Sequence, residues 1–74
     1  MKIKVNKSQL IILMRSRGIK TFKELGKRSG VSYNVLWREM NRTGTLSREN
    51  LWLISDYLGC SINDFVYPEW EDEA

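Results

Sequence analysis

Arg38 and Asn41 stand three positions apart in a segment whose apolar residues recur at helical spacing, so both side chains project from one face. That pair suits one kind of chemistry. A guanidinium can fork onto the O6 and N7 acceptors of guanine, and a side-chain amide can bond N6 and N7 of adenine. Ser32, Tyr33, Asn34 and Trp37 share the same outward face. Tyr33 and Asn34 would open a helix that points into a groove of DNA. Trp37 has two equal readings: a contact with a thymine methyl or sugar, or packing against the preceding helix. Ser32 also has two uses, capping the helix and touching a phosphate, and the cap alone would account for a serine there. Lys23, Lys27 and Arg28 upstream, with Arg42 in the loop downstream, are candidate phosphate contacts. Such groups hold position and add salt-dependent affinity without reading sequence; otherwise they are solvated surface charges.

The rest of the charge follows the same division. All 12 lysines and arginines lie at or before Arg48, opposed there only by Glu24 and Glu39, a surplus of ten positive charges. From residue 49 onward there are seven acids and no base. This asymmetry fits a basic face for a polyanion and an acidic face turned away from it, or simply a dipolar solvated surface.

Other chemistries lack their residues. There is no histidine, no phosphate-cradling glycine motif and no pair of acids in an apolar frame, so no catalytic set and no cofactor are expected. Cys60 is the single cysteine, without a disulfide partner or histidine co-ligands, so no metal site is expected either. Leu10–Met14 is the longest apolar run, too short to cross a bilayer. Met1–Lys4 lacks the apolar stretch of a signal peptide. The expectation is a cytoplasmic protein with no membrane partner.

These side chains need elements to position them. Seventy-four residues allow one domain with one small core. Residues 7–66 read as that core, and 67–74 as a loose acidic tail. Lys2–Val5 alternates polar and apolar, a short strand signal. A first helix is predicted over about 7–17, capped by Asn6 or Ser8 and stopped at Gly18. Thr21 and Glu24 have capping-box spacing for a second helix, ending at Gly30. Ser32 opens a third over about 33–41. After a polar loop, Ser47 opens a fourth over 48–58, with Leu51, Ile54 and Leu58 on one face and Gly59 at its end. Ser61 and Asp64 would open a short fifth over 62–66, before Pro68. The second and third helices are joined by a tight glycine turn, which suits a helix-turn-helix. Leu25 anchors, Gly26 allows a close crossing, Gly30 permits the turn, and Val31 with Leu36 buries the inner face.

The ordered set Glu24-Leu25-Gly26, Gly30-Val31-Ser32 and Leu36 resembles the helix-turn-helix of Cro/cI-type (XRE-like) repressors. Leu10, Leu13 and Arg17-Gly18-Ile19 are similar to that family's first helix. The run from Leu51 through Ile54, Leu58-Gly59-Cys60-Ser61-Ile62 to Phe65 is similar to its last two. The resemblance covers about residues 8–66. It implies an all-α, lambda-repressor-like bundle of five helices that binds operator DNA, usually as a dimer, with Cys60 in a core slot often held by valine. Phe22 stands where the family usually has a glutamine that braces the phosphate backbone, and Glu39 where an apolar residue usually packs, a role Met40 could take over. The reading is a sequence-specific transcriptional regulator of bacterial or phage type, a repressor that reads duplex DNA with helix 33–41. Its rival is a protein-interaction module on the same fold, an antirepressor or antitoxin-like partner of another regulator. Trp52, Leu53 and Tyr57, with Ile11, Ile12 and Trp70, are left over once the core is filled. They form a candidate interface for a homodimer or a second regulator, unless the two chain ends fold over them.

Overall fold

Side-chain caps decide where three of the helices begin. Asn6, Thr21 and Ser47 each accept a hydrogen bond from the backbone N–H three residues on, at 3.2, 3.1 and 3.2 Å. Each bond satisfies one of the N–H groups that a helix start leaves unpaired. The computed structural model describes residues 2–70. Its order is β1 (Lys2–Val5), α1 (Lys7–Ser16), α2 (Phe22–Ser29), α3 (Tyr33–Arg42), α4 (Arg48–Leu58), a single 3-10 turn (Ile62–Asp64) and β2 (Val66–Glu69). None of these helices is long and apolar enough to cross a membrane.

Two expectations about the C-terminal part are corrected. The helix expected over 62–66 is only the turn Ile62–Asp64, although its start is well made. The Ser61 hydroxyl accepts from the Asn63 N–H, and the Asp64 carboxylate accepts from the Ser61 N–H at 3.0 Å. The chain then extends instead of coiling, because Val66 is recruited opposite Val5 and the residue before Pro68 is driven toward extended backbone. The tail expected to be loose from residue 67 is strand β2 through Glu69, antiparallel to β1, with Lys2 facing Glu69, Ile3 facing Pro68 and Lys4 facing Tyr67. Pro68 is tolerated because a two-stranded sheet consists of edges. The fold is therefore four helices and a small sheet, not five helices. The expected N-terminal strand is present, and its partner comes from the supposed tail. The last residues of that tail, 71–74, lie outside the described residues.

One core unites the elements. Leu10 and Met14 of α1, Leu25 of α2, Leu36 of α3 and Leu51, Ile54 and Leu58 of α4 are all buried. Val5 of β1 and Ile19, Val31, Leu46 and Phe65 of the connecting segments close it. Leu13, Met40 and Cys60 pack half-buried at its margin. The sheet is tied to this body at one end: the Val5 N–H donates to the Gly44 carbonyl at 2.7 Å and the Asn6 N–H to the Phe65 carbonyl at 2.8 Å.

The crossing of α2 and α3 sets where α3 points. Gly26 is buried against the turn between them, and a Cβ there would sit 2.7 Å from the backbone carbonyl oxygen of Val31. A backbone carbonyl cannot rotate away as a side chain can. Gly30 caps α2 at φ 87°, the left-handed region where a Cβ is strained, and its N–H bonds the Gly26 carbonyl. Replacing Gly26 by Ala is expected to destabilise the domain by about 1–3 kcal/mol through overpacking. The exposed neighbour Lys27→Ala should stay within about 0.5 kcal/mol. Urea unfolding followed by circular dichroism compares the two directly.

Candidate nucleic-acid interface

Helix α3 has one sealed side and one open side. Leu36 is fully buried and Met40 packs against the core, which fixes the helix rotation. Tyr33, Asn34, Trp37, Arg38 and Asn41 are consequently all exposed. Trp37 is 56% exposed, so of its two readings the structure leaves the outward one; it does not bury itself against α2. The Arg38 Nε lies 3.8 Å from a Glu39 carboxylate oxygen, and the side chain stays more than half open to solvent. At that spacing and exposure the pair adds little and restrains the guanidinium weakly. Asn41 is more committed. Its amide N–H donates to the Trp37 carbonyl at 2.7 Å, leaving the amide oxygen to accept. The second amide hydrogen and the oxygen remain for the two-point pairing with adenine N7 and N6.

Ser32 corrects a further expectation. It occupies the N-cap position of α3, yet its hydroxyl makes no capping bond. The nearby buried hydroxyl of Ser29 instead accepts from the Val31 N–H at 3.4 Å. The helix start of α3, unlike those of α1, α2 and α4, thus keeps an exposed hydroxyl that is not spent on its own backbone.

On α2, Lys23 and Lys27 are exposed and line a shallow depression with Thr21, Glu24 and Arg28. Arg28 is restrained from two sides: its Nε lies 3.1 Å from Glu24, and its Nη1 donates to the Tyr57 hydroxyl at 3.5 Å. Tyr57 first, and Glu24 with it, raise the Arg28 pKa above its ordinary value, so the charge is permanent. Glu24 also accepts from the Lys20 N–H, at 3.4 Å, and not from that of Thr21, so the capping box expected there is only half made. Arg42 is not a loop residue but the last residue of α3.

Beside Arg42 stand cations that the sequence reading did not single out. Lys2 and Lys4 of β1 and Arg48 at the start of α4 border the same groove as Arg42. The Lys4 ammonium also donates to the Thr43 carbonyl. Their positions far apart in the chain hid this clustering. The loop after α3 is braced further: the Thr43 hydroxyl donates to the Glu39 carbonyl and pairs with the Thr45 hydroxyl at 2.7 Å.

The three residues expected to form a protein-binding patch do not share one surface. Trp52 is 58% exposed and borders that groove. Tyr57 faces α2 through Arg28. Leu53 packs half-buried against the core, which withdraws it from the surface.

The sealed α2–α3 unit, crossed over a glycine and offering a polar outer face, can be compared with known proteins. The profile of the Cro/C1-type HTH DNA-binding domain matches residues 9–71. The chain belongs to this family. No curated protein and no solved structure matches it. As a Cro/C1-type domain it carries its own substitutions, and the structure accounts for three. Phe22 is half-buried against the core with the Lys7 ammonium 5.8 Å from its ring centre, a cation–π contact that ties α1 to α2. Met40 takes the packing position beside Glu39, which leaves that carboxylate free to meet Arg38. Cys60 lies half-buried, and desolvation, with Asp64 adding to it against an opposing pull from Arg17, raises its thiol pKa. A protonated thiol suits packing and not nucleophilic chemistry.

The uncapped Ser32 separates stability from binding. Ser32→Ala should leave thermal stability within about 0.5 kcal/mol. Ser47→Ala, which deletes a cap that is made, should cost about 1 kcal/mol. Parallel thermal melts check this, and equal losses would show that the Ser32 hydroxyl does cap.

Proposed function

We propose that this Cro/C1-type domain is a sequence-specific transcriptional regulator, a repressor of bacterial or phage type, that lays α3 in the major groove of duplex DNA. One observation carries the reading: burial of Leu36 and packing of Met40 turn Tyr33, Asn34, Trp37, Arg38 and Asn41 outward together on the second helix of a helix-turn-helix. In this reading Arg38 forks onto guanine, and Trp37 lies against a thymine methyl or a sugar. Asn41 reads adenine, its oxygen accepting from N6 and its second amide hydrogen donating to N7. The Ser32 hydroxyl, Lys23, Lys27, Arg28 and Arg42 contact phosphates and set the register. The protein acts in the cytoplasm as a homodimer on a short palindrome, the half-sites related by the dimer's two-fold axis.

A protein-interaction role on the same fold is the competing reading, and the exposed indoles of Trp37 and Trp52 are what favour it. The two differ in salt dependence. A DNA-binding regulator with roughly 4–6 phosphate contacts loses affinity steeply as salt rises, with a logarithmic slope near −0.9 per contact. A pure partner binder shows no such DNA affinity.

Fluorescence anisotropy with a duplex selected from random DNA tests this. Arg38→Ala is expected to cost about 1–3 kcal/mol at the preferred site and to relax the base choice at one position. Lys27→Ala should weaken all sequences alike and reduce the salt slope by about 1. Intact sequence preference in a folded Arg38→Ala variant would mean that α3 does not enter the groove in this way.

A further inference from the structure

Lys2 and Lys4 stand two residues apart on β1, so both project from one face of the strand, beside Glu69 and Tyr67 of β2. The Lys4 stem passes over Gly44, 3.5 Å from where a Cβ there would stand, and its ammonium donates to the Thr43 carbonyl. Thr43 is the residue that caps the C-terminal end of α3. The Val5 N–H bonds the Gly44 carbonyl next to it. β1 is therefore fastened at the end of α3, where Lys2, Lys4 and Arg42 border one groove. Among the described residues the ion pairs are Arg28 with Glu24 and Arg38 with Glu39, so none of these three cations is paired there; Glu69 faces Lys2 in the register without bonding it. The strand lies ahead of residues 9–71, so the family match gives it no task.

We propose that β1 is a second grip on DNA: Lys2 and Lys4 bind backbone phosphates that flank the base pairs read by α3, at the C-terminal end of that helix. This rests on the placement of α3 in the major groove and extends it. Length supports the assignment. The ten residues of α3 span about 15 Å, and the major groove is about 12 Å wide. A helix laid across it brings its two ends to opposite backbones. Ser32, Lys23 and Lys27 serve the first end. At the second end the helix carbonyls carry a partial negative charge, which repels phosphate. Arg42 alone would have to overcome that. Lys4 offsets it directly, because one of its three ammonium donors goes to the Thr43 carbonyl and two remain for a phosphate oxygen. Lys2 is exposed and stands about 7 Å farther along the strand, so it lengthens the contact along the backbone. Glu69 beside it tempers the attraction.

Fluorescence anisotropy over a salt series tests the assignment, with the selected duplex, a scrambled duplex and circular dichroism melts of every variant. Replacing Lys2 and Lys4 together by Gln should lower the salt slope by about 2, so that the loss of affinity between about 50 and about 200 mM salt becomes roughly tenfold smaller. Both duplexes should weaken alike. Lys2→Gln alone alters only an exposed side chain and should lower the slope by about 1, which keeps the test valid if loss of the Lys4 bond loosens the fold. Glu69→Gln should raise affinity for both duplexes about twofold at low salt. Single neutral methylphosphonates placed outside the read base pairs locate the contact. At the contacted positions they should weaken the original chain and leave the doubly substituted variant unchanged. A folded double variant with an unchanged salt slope would overturn the role of β1 and leave the reading of α3 intact; the lysines would then be free for an acidic protein partner. An altered base preference at an unchanged slope would overturn it too, since β1 would then act through the placement of α3. An original chain without salt-sensitive DNA affinity would overturn the reading of α3 itself, and this proposal with it.

Discussion

The Val31 carbonyl lies where a Cβ on Gly26 would stand, and the presentation of α3 depends on that close backbone approach. Only a residue without a Cβ lets the backbone of the turn approach α2 so nearly. That approach seats Val31 and Leu36 against Leu25, and burial of those three side chains leaves α3 one permitted rotation. Burying a leucine or valine side chain contributes about 1.5–3 kcal/mol, so rotating α3 to hide its polar residues would cost several times thermal energy. The outer face is thus prescribed from inside the core.

The small sheet provides the second constraint. A domain of 74 residues without a disulfide gains little from its core alone, and loose ends reduce that further. Here β1 and β2 join the two ends of the described chain, and Val5 and Asn6 fasten them to Gly44 and Phe65. The same strand reaches the loop after α3 through Lys4. The segment leaving α3 is therefore held by β1. The sheet also changes the electrostatic picture. A chain that is basic up to Arg48 and acidic beyond it suggests two separate faces. Pairing Lys2 with Glu69 instead sets the start of the acidic segment directly beside the basic rim of the groove.

Most of the fold was legible because its signals are local. Asn6, Thr21 and Ser47 cap helices through bonds spanning three residues, and Gly30 and Gly59 end them with left-handed backbone. Such features need no distant partner, so the four helices fall within about one residue of their expected bounds. The candidate reading face was legible for the same reason: helical spacing alone puts Arg38 and Asn41 opposite Leu36. What local reading misjudged depended on partners far away. Ser61 and Asp64 make a sound helix start, yet the helix ends after one turn because Val66 finds Val5 across 61 positions of sequence. Ser32 carries a capping residue's chemistry at a capping position and makes no cap. The structure shows no physical cause for that choice beyond the neighbouring bond of Ser29 to Val31.

The sequence by itself determined the helices, the glycine turn, the polar outer side of the third helix and the absence of histidine or a second cysteine for other chemistry, since composition and short-range periodicity are properties of the chain alone. Only the tertiary structure decided which apolar residues were surplus. Leu53 went to the core, Tyr57 to Arg28 and Trp52 to the surface, although all three lie within six positions on one helix. It also decided that Lys2, Lys4, Arg42 and Arg48 share one groove. The physical reason is common to both: burial and charge proximity depend on distance in space, and antiparallel pairing of the two chain ends creates neighbours that no spacing along the sequence can announce.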